Sequence, residues 1–481
     1  MQMPPPSAGI LSRKSAVVAR LRDVLGDRGV IERPAELLAY ECDALSAYRC
    51  TPLAVVLPSS TDEVAAALRV CSEERVPVVP RGAGTSLTGG SMPTADAVIL
   101  GVSRLTQVLE ISTGDRLVRV QTGRTNLSVT GAVEAHGFFY APDPSSQLAC
   151  AISGNIAMNS GGAHCLKYGV TTNNLLGVRM VLMDGTILDL DATAETGALD
   201  LLSVVCGSEG QLGIVTEATL RILPKPEGAR PVLIGFDSAE VAGACVAGII
   251  KAGVLPVAIE FMDAPCIRAC EAHAKAGYPD CAALLIVEVE GAPAEIDHQI
   301  GLIRDIAASH DPVEFREAGN ADEAARIWLG RKSAFGAMGQ LGDYICLDGT
   351  IPVTELPRVL NRIGELTEEY GLGCANVFHA GDGNMHPLIL YDANAPGDLE
   401  KAEAMGAEIL RHCVEVGGCL TGEHGVGVEK RDLMEAQFNP ADLEAQMQVK
   451  DVFDPNWLLN PAKVFPLELS EARRGQGAEV A

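Results

Sequence analysis

Residues 80–90, Pro-Arg-Gly-Ala-Gly-Thr-Ser-Leu-Thr-Gly-Gly, follow a short β-pattern (76–79) and can continue neither a strand nor a helix. Glycines admit positive φ and close backbone approach, so the run must be a turn that exposes several N–H groups around one concavity. Arg81 supplies charge, and Thr85, Ser86 and Thr88 supply hydroxyls. Such a turn suits a pyrophosphate, although it is neither a Walker A loop nor Gly-x-Gly-x-x-Gly. On its own it remains equally compatible with an ordinary glycine turn.

A second run of small residues changes that balance. Pro142, Asp143 and Ser146, then Gly154, Asn155, Asn159, Gly161 and Gly162, again offer amide donors. Two such loops suffice to enclose one dinucleotide.

Around the loops the pattern is α+β. The spacing predicts a helix over 16–25 and another over 61–75, and short strands over 53–57, 76–79, 97–100, 117–121, 178–183, 186–190 and 213–223. Asp184-Gly185 parts two of them as a hairpin turn. The stretch 223–228, Leu-Pro-Lys-Pro-Glu-Gly, is expected to continue no strand and to mark a domain boundary. Beyond it come helices over 239–252, 294–308 and 321–335, and strands over 257–262, 283–290 and near 345 and 377. Residues 442–466 are expected to return to helix, and the tail after 469 to fray. The resulting division is an N-terminal segment (1–50) packing on a nucleotide-binding domain (51–227), a substrate domain (228–430), and a C-terminal segment (431–481) returning to the first domain.

Composition narrows the partners. Lys and Arg number 37 against 63 Asp and Glu, a net charge of −26 that repels nucleic acid and anionic lipid. The longest apolar run, 241–250, is about half of the ~20 residues a membrane span needs, so no span is expected. Fourteen cysteines lie scattered without Cys-x-x-Cys, the closest pair being Cys266 and Cys270, which points to reduced thiols in a cytoplasm and to no cluster-binding run.

Three of the nine histidines fall in two short glycine turns. His379 and His386 flank Gly381-Asp382-Gly383 between apolar, strand-like segments, and a hairpin there would bring the imidazoles together. Glu423 and His424 follow in Thr-Gly-Glu-His-Gly. Two imidazoles and a carboxylate suit Zn²⁺, Mn²⁺ or Fe²⁺ with positions left open for a substrate oxygen, while each histidine taken singly reads as a satisfied turn or core residue. A zinc hydrolase would use the same ligands but lacks His-Glu-x-x-His here and has no need of the glycine loops.

The loops, together with Glu209, Gly213, Ile214 and Val215 in Ser-Glu-Gly-Gln-Leu-Gly-Ile-Val-Thr, resemble the flavin domain of the vanillyl-alcohol oxidase / p-cresol methylhydroxylase family. The histidine turns resemble the C-terminal signature of its FAD-linked 2-hydroxy acid oxidases and dehydrogenases, and 328–335 with 343–352 look like its glycolate oxidase branch. The resemblance runs from about 40 to 461. It implies an α+β, two-domain fold: a p-cresol methylhydroxylase-type FAD-binding domain plus an FAD-linked oxidase C-terminal domain. It implies FAD held by Pro80, Arg81, Gly82, Ala83, Gly84, Thr85, Ser86, Gly89, Gly90, the second-loop residues, the Glu209 segment and Asn460. Relatives that link flavin through a loop histidine carry it where this chain has Thr85, so the FAD is expected to be non-covalent.

By the same resemblance His379, His386 and Glu423 are metal ligands for a divalent ion, first of all Zn²⁺, His424 is the catalytic base, and Arg331 clamps the substrate's C1 carboxylate. Without it, Arg331 reads equally well as a helix-surface partner of Asp322 or Glu323. Cys346 stands where D-2-hydroxyglutarate dehydrogenases carry a lysine for the distal carboxylate. The implied reaction is oxidation of glycolate, with D-lactate as a second candidate substrate and a stand-alone D-lactate or D-2-hydroxyglutarate dehydrogenase as the alternative. The implied partners are a second flavoprotein-like subunit and an iron–sulfur subunit, placing the chain in the cytoplasm, peripheral to the inner membrane.

Overall fold

The computed structural model describes residues 2–191 and 199–479. The chain divides into two units: 1–161, 170–224 and 423–481 form the first, and 162–169 with 225–422 the second.

In the first unit a small sheet runs in the order Val30–Ile31, Ala54–Val56, Val98–Gly101, Val78–Arg81, the last three strands parallel. The Thr61–Glu73 helix starts where Ser60 Oγ accepts the Glu63 amide and buries Val64, Ala67, Leu68 and Cys71. These join Val56, Val78, Val98 and Leu459 in one core. A five-stranded antiparallel sheet orders Val108–Ser112, Leu117–Gln121, Ile214–Arg221, Leu175–Val181 and Ile187–Asp191, with the expected turn at Gly185. The Ile152–Met158 helix packs on it through Ile152 and Ile156.

Three local expectations need correction. Leu223–Pro224 does pair, antiparallel to Phe138–Phe139, because a two-residue ribbon tolerates a proline that a longer central strand would reject. The late helix spans only Pro440–Phe453, since Pro455 disfavours helical backbone at Asp454, and 454–466 is irregular with Trp457, Asn460, Ala462 and Val464 at positive φ. The tail is not frayed but helical over Leu467–Glu479, where Arg473 reaches Asp451 and Glu444. The irregular stretch extends the small sheet beyond its Val78–Arg81 edge strand: Val78 N donates to Leu458 O at 2.8 Å and Asn460 N to Val78 O at 2.7 Å.

The second unit is a largely antiparallel nine-stranded sheet, in which Glu314–Glu317, Gly228–Phe236, Ala283–Gly291, Ala258–Asp263 and Cys374–His379 are successive neighbours. Helices Ala264–Ala274 and Ala321–Met338 pack on each other. Both inner strands, Ala283–Gly291 and Ala258–Asp263, are buried almost throughout, which makes the buried carboxylates within them, Glu260, Glu288 and Glu290, conspicuous.

Candidate flavin, metal and substrate sites

The glycine turn leaves the Val78–Arg81 strand at the C-terminal edge of the parallel sheet, the usual end for nucleotide binding. Arg81 packs against the turn at Gly84, while its Nη1 donates to Cys42 O at 2.8 Å and its guanidinium lies over the Tyr40 ring. Gly84, at φ +75°, gives that guanidinium room, because a Cβ there would fall 2.1 Å from Nη2. Ser86 Oγ accepts from the amides of Thr88 and Gly90, which curls the turn back on itself. Among the described residues, the amides of 83–87 find no hydrogen-bond partner. Five consecutive half-buried or exposed N–H donors are a nest for an anion. Thr85 sits within it.

The second loop touches the first, since a Cβ on Gly82 would lie 2.9 Å from Ser153 Oγ, a buried hydroxyl without a partner among the described residues. Its polar side chains shape the backbone. Asn126 Nδ2 donates to Pro142 O at 3.0 Å and to Asn155 Oδ1 at 3.1 Å, and Asn159 Oδ1 accepts the Thr172 amide at 2.8 Å. Asp143 and Ser146 lie in the irregular stretch before the Ile152–Met158 helix, Gly154 lies in its first turn, and Gly161 ends this part of the unit. Gly162 belongs to the second unit. Gly213, Ile214 and Val215 lead into the central strand of the five-stranded sheet. Asn460 Nδ2 ties Gly90 O to Glu209 O at 3.1 and 2.7 Å.

Glu209, at φ +53° and buried, uses both carboxylate oxygens on one peptide segment, accepting the amides of Val426 at 2.6 Å and Gly427 at 2.8 Å. Thr88 Oγ1 donates to His424 O at 3.3 Å. The turn that carries His424 is therefore held from both sides by the flavin-domain loops. Within it Glu423 Oε2 accepts the Gly161 amide at 3.0 Å, and Glu423 Oε1 lies 3.9 Å from His424 Nε2.

In the second unit the hairpin forms as the spacing predicts. His379 pairs with Asn384 across the turn at Gly383, and the His379 and His386 rings meet edge-on with centroids 5.2 Å apart. Both rings are buried and both commit Nδ1: His379 to Glu260 Oε1 at 2.7 Å, His386 to Leu347 O at 3.1 Å. A carbonyl and a carboxylate can only accept, so Nδ1 is the donor in both rings, and in its neutral form each ring then carries its lone pair on Nε2, the tautomer a metal ligand needs.

Glu260 Oε2 in turn accepts from Arg331 Nε and lies 2.7 Å from Nη2. The surface pairing of Arg331 with Asp322 or Glu323 is thus not what the helix makes; its buried face turns Arg331 to the sheet. Burial pushes the Glu260 carboxyl up, but the charges and hydrogen bonds of His379 and Arg331 outweigh that and leave it below its ordinary value. Sequence reasoning missed Glu260, whose signal was a lone carboxylate inside the apolar run 257–262.

The structure therefore joins His379 and Arg331 through Glu260 in the second unit, with His386 against the His379 ring, and holds Glu423 and His424 in the first. The chain leaves the second unit close to the histidine pair. Gly422 N donates to Asp348 O and Oδ2 at 2.9 and 3.0 Å, while Asp348 Oδ1 lies 3.9 Å from His386 Nδ1, and the next residue is Glu423.

The family model described as "FAD binding domain" matches residues 52–191, and that described as "FAD linked oxidases, C-terminal domain" matches 225–464. The chain is 47% identical over 456 residues to glycolate oxidase subunit GlcD of Escherichia coli (strain K12), covering 94% of this chain and 91% of that one. It is 37% identical over 453 residues to the subunit of the same name from Bacillus subtilis (strain 168), covering 93% and 96%. A D-lactate dehydrogenase of Archaeoglobus fulgidus is 32% identical over 422 residues, covering 85% and 90%. Among solved structures, p-cresol methylhydroxylase with substrate bound aligns at TM-score 0.81 and 16% identity, over 96% of this chain and 98% of that one.

Proposed function

Since this chain belongs to the family of FAD-linked oxidases, we propose that it is an FAD-dependent 2-hydroxy acid dehydrogenase that oxidises glycolate to glyoxylate. The observation that carries the substrate class is one buried carboxylate, Glu260, joining a guanidinium to an imidazole that presents Nε2. A carboxylate anchor beside a cation site is what a 2-hydroxy acid requires.

Each residue has a defined task. Glu260 occupies the Nε/Nη2 edge of Arg331, which leaves the Nη1/Nη2 edge to grip the C1 carboxylate with a two-pronged fork. His379 and His386 through Nε2, with Glu423, would hold a divalent ion, Zn²⁺ first and Mn²⁺ or Fe²⁺ as alternatives. When bound, FAD supplies the hydride acceptor and the ion the positive charge that acidifies the substrate hydroxyl. His424 accepts the hydroxyl proton at Nε2, the ring nitrogen on the Glu423 side, as hydride leaves C2. The nest of 83–87 holds the flavin pyrophosphate, and with threonine at position 85 the loop offers no imidazole for a covalent link.

No helix among the described residues is long and apolar enough to cross a membrane. Because the relatives it resembles are named as subunits, we read the electrons of the reduced flavin as passing to a second flavoprotein-like subunit and an iron–sulfur subunit, with the chain acting in the cytoplasm, peripheral to the inner membrane through those partners.

Steady-state assays with an artificial acceptor test the substrate. Glycolate is expected to give the highest kcat/KM, followed by D-lactate; D-2-hydroxyglutarate in first place would assign the chain to the stand-alone dehydrogenases. Acid precipitation is expected to release all the FAD, and flavin left in the washed pellet would contradict non-covalent binding. Arg331→Lys keeps the charge but cannot serve Glu260 and a substrate carboxylate together. The loss of transition-state stabilisation is expected to be about 2 kcal/mol, roughly 30-fold in kcat/KM. Unchanged kinetics would remove Arg331 from the site.

A further inference from the structure

We propose that Glu260 is a positioning residue that couples cation binding at the histidine pair to carboxylate capture by Arg331. The inference rests on the reading of this site as a 2-hydroxy acid site, and it adds a linkage which that reading does not require.

Glu260 has no exposed surface, and it stands between Ile259 and Phe261 in a strand buried on both faces. A carboxylate in such a place is tolerated only when its charge is fully compensated. Here the compensation is split between its two oxygens. Oε1 takes the His379 Nδ1 proton, and Oε2 takes the Nε and Nη2 edge of Arg331. His379 reaches it from the neighbouring strand, where it is the direct cross-strand partner of Glu260, and Arg331 from the Ala321–Met338 helix. The two arms belong to different elements, and within this cluster it is this carboxylate that bridges them.

The charge count gives the coupling its sign. Glu260 and Arg331 cancel, so a substrate carboxylate arriving on Arg331 leaves a net negative charge among buried side chains. A divalent cation at Nε2 of His379 removes that penalty. The cation also draws the Nδ1 proton toward Oε1, pulling electron density away from Oε2 and releasing guanidinium charge to the incoming carboxylate. In the other direction, a carboxylate on Arg331 relieves the demand on Oε2, makes Oε1 a better acceptor and raises the basicity of Nε2. Each ligand therefore tightens the other, by the same factor.

Calorimetric titration of the metal-stripped flavoprotein at fixed pH, with Zn²⁺ and acetate as probes, tests this. In the wild type, Zn²⁺ is expected to tighten acetate, and acetate Zn²⁺, by a common factor of about 10. Glu260→Gln, nearly isosteric but uncharged, is expected to weaken Zn²⁺ about 10- to 100-fold and to cut the coupling factor by more than half. Glu260→Asp keeps the charge but is one methylene too short to span both arms; it is expected to retain FAD and the through-space attraction between acetate and Zn²⁺ while losing the hydrogen-bonded part of the coupling, which covers the case in which the glutamine variant does not fold. Zn²⁺ binding in the wild type without mutual tightening, or a coupling factor undiminished in either variant because acetate simply ligates the ion, overturns the proposal. Absence of any Zn²⁺ uptake by the wild type overturns the cation site itself, and the proposal with it.

Discussion

Alanine at His424 is expected to slow flavin reduction by glycolate about a thousandfold while leaving FAD bound. Removal of a general base costs between about 10² and 10⁴ in rate, and no other imidazole is placed in the same turn to replace it. Retention of FAD follows from how the turn is built: Glu209 grips the amides of Val426 and Gly427, and Thr88 grips the carbonyl of His424, so none of these bonds uses the imidazole. Anaerobic stopped-flow absorbance separates the two quantities. A loss below tenfold with FAD in place would mean that another group takes the hydroxyl proton.

His386→Ala is expected to remove the ion and most of the turnover together. Its ring is buried and its Nδ1 is anchored on Leu347 O, so Nε2 is held in one orientation for a ligand. Loss of the ion forfeits several kcal/mol of charge stabilisation, about a thousandfold in kcat/KM. The variant also leaves the Leu347 carbonyl without that partner, a stability cost of about 1–3 kcal/mol, so metal analysis must accompany a melting curve. Full activity at undetectable metal would rule out a catalytic ion. The nearby Glu260 makes the prediction sharper, because His386→Ala should leave the Arg331–Glu260–His379 chain of hydrogen bonds intact.

What the sequence made legible was local. The nest at 80–90 and the hairpin that joins His379 to His386 are each written within a dozen residues, where glycine and apolar alternation leave few conformations. The expected pairing of a p-cresol methylhydroxylase-type FAD domain with an FAD-linked oxidase C-terminal domain agrees with the family matches and the structural neighbours. What stayed hidden was tertiary. Glu260 finds its partners 71 and 119 residues away, and no spacing rule connects them. Glu209 lies in a segment the sequence singled out, yet its side chain braces backbone brought in from a distant part of the chain, and Asn155 pairs with the side chain of Asn126, which motif reading does not reveal. The tail after 469 was misread for the same reason: its helix is held by Arg473 on Asp451 and Glu444, contacts absent from local propensity.

The most direct test of the account is anaerobic titration of the purified flavoprotein with glycolate and with glycolate deuterated at C2. The account predicts that the oxidised flavin band bleaches fully, at one glycolate per flavin, with glyoxylate as product, and that deuterium slows the bleaching, because the C2–H bond is the one that breaks. A flavin that stays oxidised in the presence of glycolate, D-lactate and D-2-hydroxyglutarate alike would contradict it.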